Sequence, residues 1–386
     1  MSFDPTAFLP DDLLERIRER APIHDRENTF PELDLAELRD AGYLKILVPT
    51  ERGGAGLGLE QAAILQQRLA EASPATALSI NMHLVWTGVA KVFSDRGVPG
   101  LEFVQDGAAR GDVFAFGISE GGNDLVLFDS TTSAVPTDDG GYAFTGTKIF
   151  TSLAPVWTKL GLHGLDTTSP DAPKLVFAFI DRTDAVTTSD DWDTLGMRAT
   201  QSRTTRLDGA TASAAHVVRR IDPGPSPDPI IFGIFSAFEL LLASVYTGIA
   251  RRALDLAVQT VQKRISKKTG LAYGQDPDIR WRLADMSLAY EALLPQITAL
   301  ARDVDALADH GARWFTLLSG TKHRAVVMAK HVVDQAILTA GGGAYFSSNE
   351  LSRLYRDVLA GMFHPSDPES AHSTAASALL GPVDAP

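Results

Sequence analysis

Helices, then a compact antiparallel β unit, then helices again: this multidomain α and β order is what the sequence predicts. Three observations carry it. The first hundred residues or so are rich in strong helix formers, and residues 113–218 switch to short β-branched and aromatic runs parted by Asp-Gly, Gly-Gly and Pro signals. After the proline-rich stretch Asp222–Pro229, long segments of helical periodicity return. With 386 residues the chain exceeds the usual size of one hydrophobic core, so several packed units with room for a large cofactor are expected. The boundaries predicted are 1–112 for the N-terminal helical domain, 113–222 for the β domain and 223–386 for the C-terminal helical domain.

In chain order, Asp11 and Asp12 open a first amphipathic helix, as acids in a first turn should. Pro49–Gly58 is a glycine-rich connector, and Leu59–Ser73 is a second strong helix. In the β domain the segment 138–144, DDGGYAF, is the clearest hairpin signal. The segment Ile230–Ala250 is uncharged apart from Glu239, so it passes for a membrane span by composition. A mid-span glutamate is costly in lipid, and the helical pattern runs on through Ala253, Leu254, Ala257 and Val261. A buried bundle helix is therefore expected.

A formal net charge of -13 without any long basic run argues against nucleic acid as a partner. The chain has no cysteine, which excludes disulfides, thiolate metal sites and a cysteine nucleophile, and no metal site is expected. The acidic, amphipathic N-terminus lacks the pattern of a secretory signal, so a cytoplasmic location is expected.

No dinucleotide-binding GxGxxG, P-loop, HExxH or GxSxG motif is present. What the β domain offers instead is Ser119 and Glu120 in GISEGGND and Thr151 and Ser152 in KIFTS, with Phe114, Phe116 and Phe150 close in sequence. Aromatic faces flanked by hydroxyl and backbone donors suit a flat heteroaromatic ring. The same aromatics would equally serve as plain core.

Five motifs follow one another along the chain: LVPTERGGAGL at 47–57, GISEGGND at 117–124, GYAFTGTKIFTS at 141–152, the segment 195–218 beginning LGMRATQS, and GGGAYFSSNELSRLYRDV at 341–358. Together and in this order they resemble the acyl-CoA dehydrogenase family nearly end to end. The resemblance implies a central β-barrel, a C-terminal four-helix bundle and a flavin between them, usually FAD, with FMN as the alternative. It places Phe116, Ile118, Ser119, Phe150, Thr151 and Ser152 at the flavin ring and Asn123 at the substrate. It brings Gly341, Gly342 and Gly343 to the pyrophosphate from a neighbouring subunit, where a Cβ would obstruct the approach. Two departures stand out: Leu338 replaces the family's glutamine, and RISKKTGLAYG at 264–274 is a reduced adenine-site motif. A dimer-of-dimers homotetramer is also implied.

The family's dehydrogenases need a carboxylate to take the α-proton of an acyl thioester while hydride leaves to the flavin. Here the usual base position holds Pro365. Glu239, near the alternative base position, and Asp367, two residues beyond the usual one, are the candidate bases. His364 falls where flavin monooxygenases of the same fold place a histidine. Arg356 and Asp357 are expected to form a structural ion pair, and Lys148, Arg198 and Arg203 are candidate groups for a CoA phosphate. The main expectation is an acyl-CoA dehydrogenase that passes electrons to an electron-transfer flavoprotein. The alternatives are a two-component monooxygenase fed by a flavin reductase, or a flavin- or CoA-binding protein without turnover.

Overall fold

The computed structural model describes residues 3–381 and 383. Five helices come first: α1 (Asp11–Glu27), α2 (Glu32–Asp40), α3 (Leu59–Ala72), α4 (Pro74–Asp95) and α5 (Glu102–Arg110). Ser73 caps α4 by accepting from the Thr76 amide at 3.3 Å, and Pro74 supplies the fixed φ of a first helical residue. Nearly every side chain of α4 is buried, because it runs between the sheet and the C-terminal helices. Trp86 carries that packing. Its indole donates to the Ala115 carbonyl at 2.9 Å, and a Cβ on Gly161 would fall 2.3 Å from its ring, so the strand facing Trp86 requires glycine.

Eight strands follow: β1 (Phe114–Gly117), β2 (Ser133–Pro136), β3 (Tyr142–Thr151), β4 (Lys159–Asp166), β5 (Lys174–Asp181), β6 (Val186–Thr188), β7 (Arg203–Ala212) and β8 (Val217–Ile221). The hairpin predicted at 138–144 joins β2 to β3, with the Thr137 amide bonded to the Gly141 carbonyl and Gly140 at φ 82°. The expected closed antiparallel barrel is corrected in two respects. The sheet runs β6-β7-β3-β2-β4-β5-β8 and stays open, and β1 pairs with β4 in parallel. β2 meets β4 through a single residue pair, because the loop 118–132 leaves the sheet to cover it. At the other edge β6 is three residues long, and the chain after it is diverted to α10, described below, instead of closing the sheet.

The C-terminal part holds α6 (Pro229–Lys263), α7 (Pro277–Glu291), α8 (Leu294–Asp305) and α9 (Arg313–Ala340), which pack as a bundle, then α10 (Glu350–Val358) and α11 (Pro368–Leu380). Asp228 starts α6 by accepting from the Ile230 amide at 2.8 Å, with Pro229 as its first residue. Among the described residues α6 is the one helix long and apolar enough to cross a membrane. It is buried against α3, α4 and α9, which accounts for its composition.

Candidate functional site

A cavity of about 670 Å³ lies between the sheet and the C-terminal helices. Its β wall begins where β1 ends at Gly117 and the loop 118–132 folds back. Glu120 anchors that loop. Its carboxylate takes the Lys148 ammonium at 2.6 Å, the Ser130 hydroxyl at 2.7 Å, the Thr132 hydroxyl at 2.6 Å and the Thr131 amide at 2.7 Å. Lys148 spends its other donors on the His163 ring nitrogen Nδ1 at 3.1 Å and the His163 carbonyl at 2.8 Å. His163 Nε2 in turn meets the carbonyl of Val126, a β-branched residue at φ 46°. Burial alone would raise the Glu120 carboxyl, yet Lys148 and the hydroxyl and amide donors hold it well below the ordinary carboxylate range. The cluster is closed and fully satisfied. Lys148 is therefore unavailable to a CoA phosphate, correcting that expectation.

Asn123 belongs to the same brace. It lines the cavity, but its amide donates to Glu120 and to the Asp129 carbonyl at 2.9 Å each, and its oxygen accepts from the Leu125 amide. Of the residues expected at a flat ring, Phe116, Ile118, Ser119, Phe150 and Ser152 all line the cavity. Thr151 is buried beside them but outside the lining, with its hydroxyl lacking a partner among the described residues. The β3–β7 register slips between Lys148 and Thr151. Phe150 falls in that slip at φ 57° and stands 53% exposed, with its ring at right angles to Trp192. Ser152 heads a chain of hydroxyls: Ser152 to Ser202 at 2.7 Å, Ser202 to Thr200 at 2.7 Å, and Thr200 to the Met197 carbonyl at 2.8 Å.

The helical wall is built differently. From α6 come Ile234, Phe235, Phe238 and Glu239, and from the turn between α10 and α11 come Phe363, His364, Pro365, Ser366 and Asp367. Glu239 is 2% exposed. One carboxyl oxygen accepts from the Ser366 hydroxyl at 2.5 Å, while the other, equally buried, has no partner among the described residues. Burial pushes this carboxyl up to about 7, opposed by the charge of Lys322 and by the Ser366 hydrogen bond. Lys322 enters from α9 and ties the turn together by donating to the carbonyls of Gly361 at 3.0 Å, His364 at 2.9 Å and Ser366 at 3.2 Å. His364 is half-buried with Nδ1 3.1 Å from the Tyr246 hydroxyl, and burial together with Lys322 holds the ring well below its ordinary pKa, so it is neutral. Asp367 lines the cavity but caps α11, accepting from the Ser370 amide at 2.8 Å and the Ser370 hydroxyl at 2.6 Å.

The structure thus brings together Glu239, His364 and Asp367 with five of the six ring-contact residues. The three glycines lie elsewhere. Gly341 ends α9 at φ 76°, and Gly342 and Gly343 face open space away from the cavity of their own chain. Arg264 donates to the Ala340 carbonyl at 2.5 Å and lies 4.5 Å over the Tyr273 ring. The expected Arg356–Asp357 pair is corrected: Arg356 pairs with Asp25 and the Leu195 carbonyl, and Asp357 accepts from the Met197 amide at 2.6 Å. The reason is that successive residues of a helix do not face each other, so the two side chains take separate partners. Gly196 packs directly on the Arg356 backbone, where a Cβ would fall 2.2 Å from its carbonyl oxygen. Arg198 and Arg203 are held by Asp193 and Gln201.

Sequence reasoning missed Lys322, Ser366 and Tyr246. Lys322 carried a readable signal, since it falls on the buried stripe of α9 with Leu318, Ala325, Val326 and Ala329. Ser366 and Tyr246 carried none, because their partners are more than a hundred residues away.

An aromatic-walled cavity between a sheet and a helical bundle suits a planar ring system. Two family models place it further. The acyl-CoA dehydrogenase N-terminal domain matches residues 11–94 and the acyl-CoA dehydrogenase C-terminal domain matches residues 240–366, together more than half of the chain. The chain belongs to the acyl-CoA dehydrogenase superfamily. Among its relatives, the L-evernosamine nitrososynthase of a Micromonospora species is 28% identical over 359 residues, 91% of this chain and 84% of that protein. The dibenzothiophene monooxygenase of Rhodococcus qingshengii is 30% identical over 263 residues, 66% of this chain and 61% of that protein. The solved structure of KijD3 with FMN and an amino-sugar nucleotide superposes with a TM-score of 0.84 at 26% identity, covering 97% of this chain and 93% of that one.

Proposed function

We propose that this protein is a flavin-dependent monooxygenase that receives reduced flavin from a separate reductase and oxidises a small organic molecule in the 670 Å³ cavity. The observation that carries the reading is the make-up of the helical wall. Proline stands at the dehydrogenase base position, Asp367 is spent on a helix cap, and a neutral His364 faces the cavity. The relatives named above support it, since a nitrososynthase and a monooxygenase both oxidise small organic molecules.

The residues present fit a flavin ring. Phe150, turned outward at positive φ, supplies a face, Ser119 lines the cavity, and the buried Thr151 hydroxyl beside them has no partner among the described residues. Bound in reduced form, a flavin supplies the two electrons with which dioxygen is split between substrate and water. The apolar walls from Phe116, Phe238 and Met82 exclude water, which suppresses wasteful reoxidation. We assign Tyr246 as donor to His364 Nδ1, which leaves the proton of the neutral ring on Nε2, ready to donate toward the cavity. The commitment of Arg264 to Ala340 and Tyr273, with the altered adenine-site motif, supports FMN over FAD. A flavin reductase as partner, the dimer-of-dimers assembly and a cytoplasmic setting belong to the same proposal.

A second reading has one observation in its favour. Glu239 is a buried carboxyl with a free oxygen and a pKa near neutrality, the properties of a general base in an acyl-CoA dehydrogenase.

The test is anaerobic binding of FMN and FAD, each oxidised and reduced, followed by mixing the reduced complexes with oxygenated buffer. Expected are tighter binding of reduced FMN than of the other three species and reoxidation slower than that of free flavin. His364→Ala should return reoxidation toward the free-flavin rate. Indifference to redox state, with reoxidation unchanged by His364→Ala, would overturn the reading.

A further inference from the structure

We infer that Glu239 is the recognition point for one N–H or O–H donor on a substrate whose remainder is flat and apolar. The inference rests on the reading of this cavity as a substrate site, and it names the class of substrate.

The cavity walls are apolar over most of their area and offer few free polar groups. The cavity walls offer Phe116, Phe128, Phe235 and Phe238, which favour a planar apolar body. Most polar side chains on those walls are already engaged within the protein. Asn123 is used by its own loop, Arg356 by Asp25, Asp367 by Ser370, and the Thr194 hydroxyl by the Gly196 carbonyl at 2.9 Å. Among the described lining residues, Glu239 is the one with a fully buried side-chain atom left unpaired. It is 2% exposed, one oxygen is held by Ser366, and the other is buried in the cavity wall without a partner among the described residues.

A buried carboxyl oxygen left unpaired is costly, and a ligand donor relieves that cost on binding. The nearest cation cannot do so, because Lys322 is turned to three carbonyls of the 361–366 turn. The same lysine fixes Ser366, and through it the orientation of the carboxyl. The carboxyl is therefore held in one orientation in the cavity wall, and the discrimination it provides is between molecules with and without a donor. A site built around a buried hydrogen-bonding group rejects the analogue that lacks the partner far more strongly than it rejects a change of one methylene.

The experiment is equilibrium binding by calorimetry, with two pairs of bicyclic probes that differ only in the donor: indole against 1-methylindole, and 2-naphthol against 2-methoxynaphthalene. It needs no turnover and no flavin chemistry. Wild-type protein should bind each donor-bearing member about tenfold or more tightly than its methylated twin. In Glu239→Leu the preference should collapse to within about twofold, with the methylated probes bound as well as before. Equal binding of both twins by wild type, survival of the preference in Glu239→Leu, or binding of neither twin would each overturn the inference. Should the variant fail to fold, the wild-type comparison decides alone. A donor preference without any flavin binding would leave this inference standing and remove the oxygenase reading. Flavin handling as proposed, without a donor preference, would do the reverse.

Discussion

Glu120 and Glu239 belong to opposite walls of one cavity, each buried and each with a buried lysine close by, yet the two sets are built in opposite ways. Around Glu120 both carboxylate oxygens accept several donors, Lys148 is in direct contact, and the carboxyl is held ionised. Around Glu239 one oxygen is left over, Lys322 points at backbone carbonyls, and the carboxyl titrates near neutrality. The first set is architecture: it fixes the loop that carries Ile118 and Ser119. The second has a vacancy for a proton or a ligand, and perturbed groups of that kind mark sites of function.

The largest expected effect breaks the satisfied set. Lys148→Met leaves a buried carboxylate without its counter-charge and should cost about 3–5 kcal/mol in urea denaturation. A loss under about 1 kcal/mol would mean that the hydroxyls and amides suffice to hold Glu120.

The next effect lies on the other wall and depends on pH. The Glu239 carboxyl moves from 4.5 to about 7, chiefly through burial. Between those values the folded state keeps a proton that the unfolded state has released, so this group lowers stability progressively as pH rises through the window. Glu239→Gln removes that decline. Relative to wild type, the variant should gain stability progressively from the bottom to the top of the window. His364, with its depressed pKa, contributes a slope of opposite sign over part of the same range, but it does so in both proteins and cancels from the difference. A difference that stays flat with pH would show that Glu239 is already paired.

The smallest effect sharpens the division between cap and site. Asp367→Ala should cost about 1 kcal/mol of stability through loss of the α11 cap. It should leave the preference for donor-bearing probes unchanged, and a shift in that preference would move Asp367 from the cap into the site.

The fold was largely legible because its signals are local. Proline and aspartate mark the start of α6, and β-branched runs with Gly and Asp punctuation mark β2 and β3. The openness of the sheet was not legible, because it depends on where residues 189–202 go, and they are held by Asp357 from far along the chain. The same divide holds in the site. Phe150 and Ser152 sit in a motif, and the structure puts both on the cavity wall. Asn123 sits in a motif too, but its hydrogen bonds turn inward, which only coordinates reveal. Glu239 stood out as a lone acid in an apolar helix. What holds it, Ser366 and Lys322, is set by tertiary packing, and no pattern along the chain pairs them.

The central claim is that this cavity handles oxygen chemistry and does not oxidise thioesters. Anaerobic titration of the flavin-loaded protein with acyl-CoA thioesters of varied chain length and branching tests it most directly, with flavin absorbance as the readout. The account predicts that none of them bleaches the flavin. Stoichiometric bleaching by any one thioester, abolished in Glu239→Gln, would contradict it and establish the dehydrogenase.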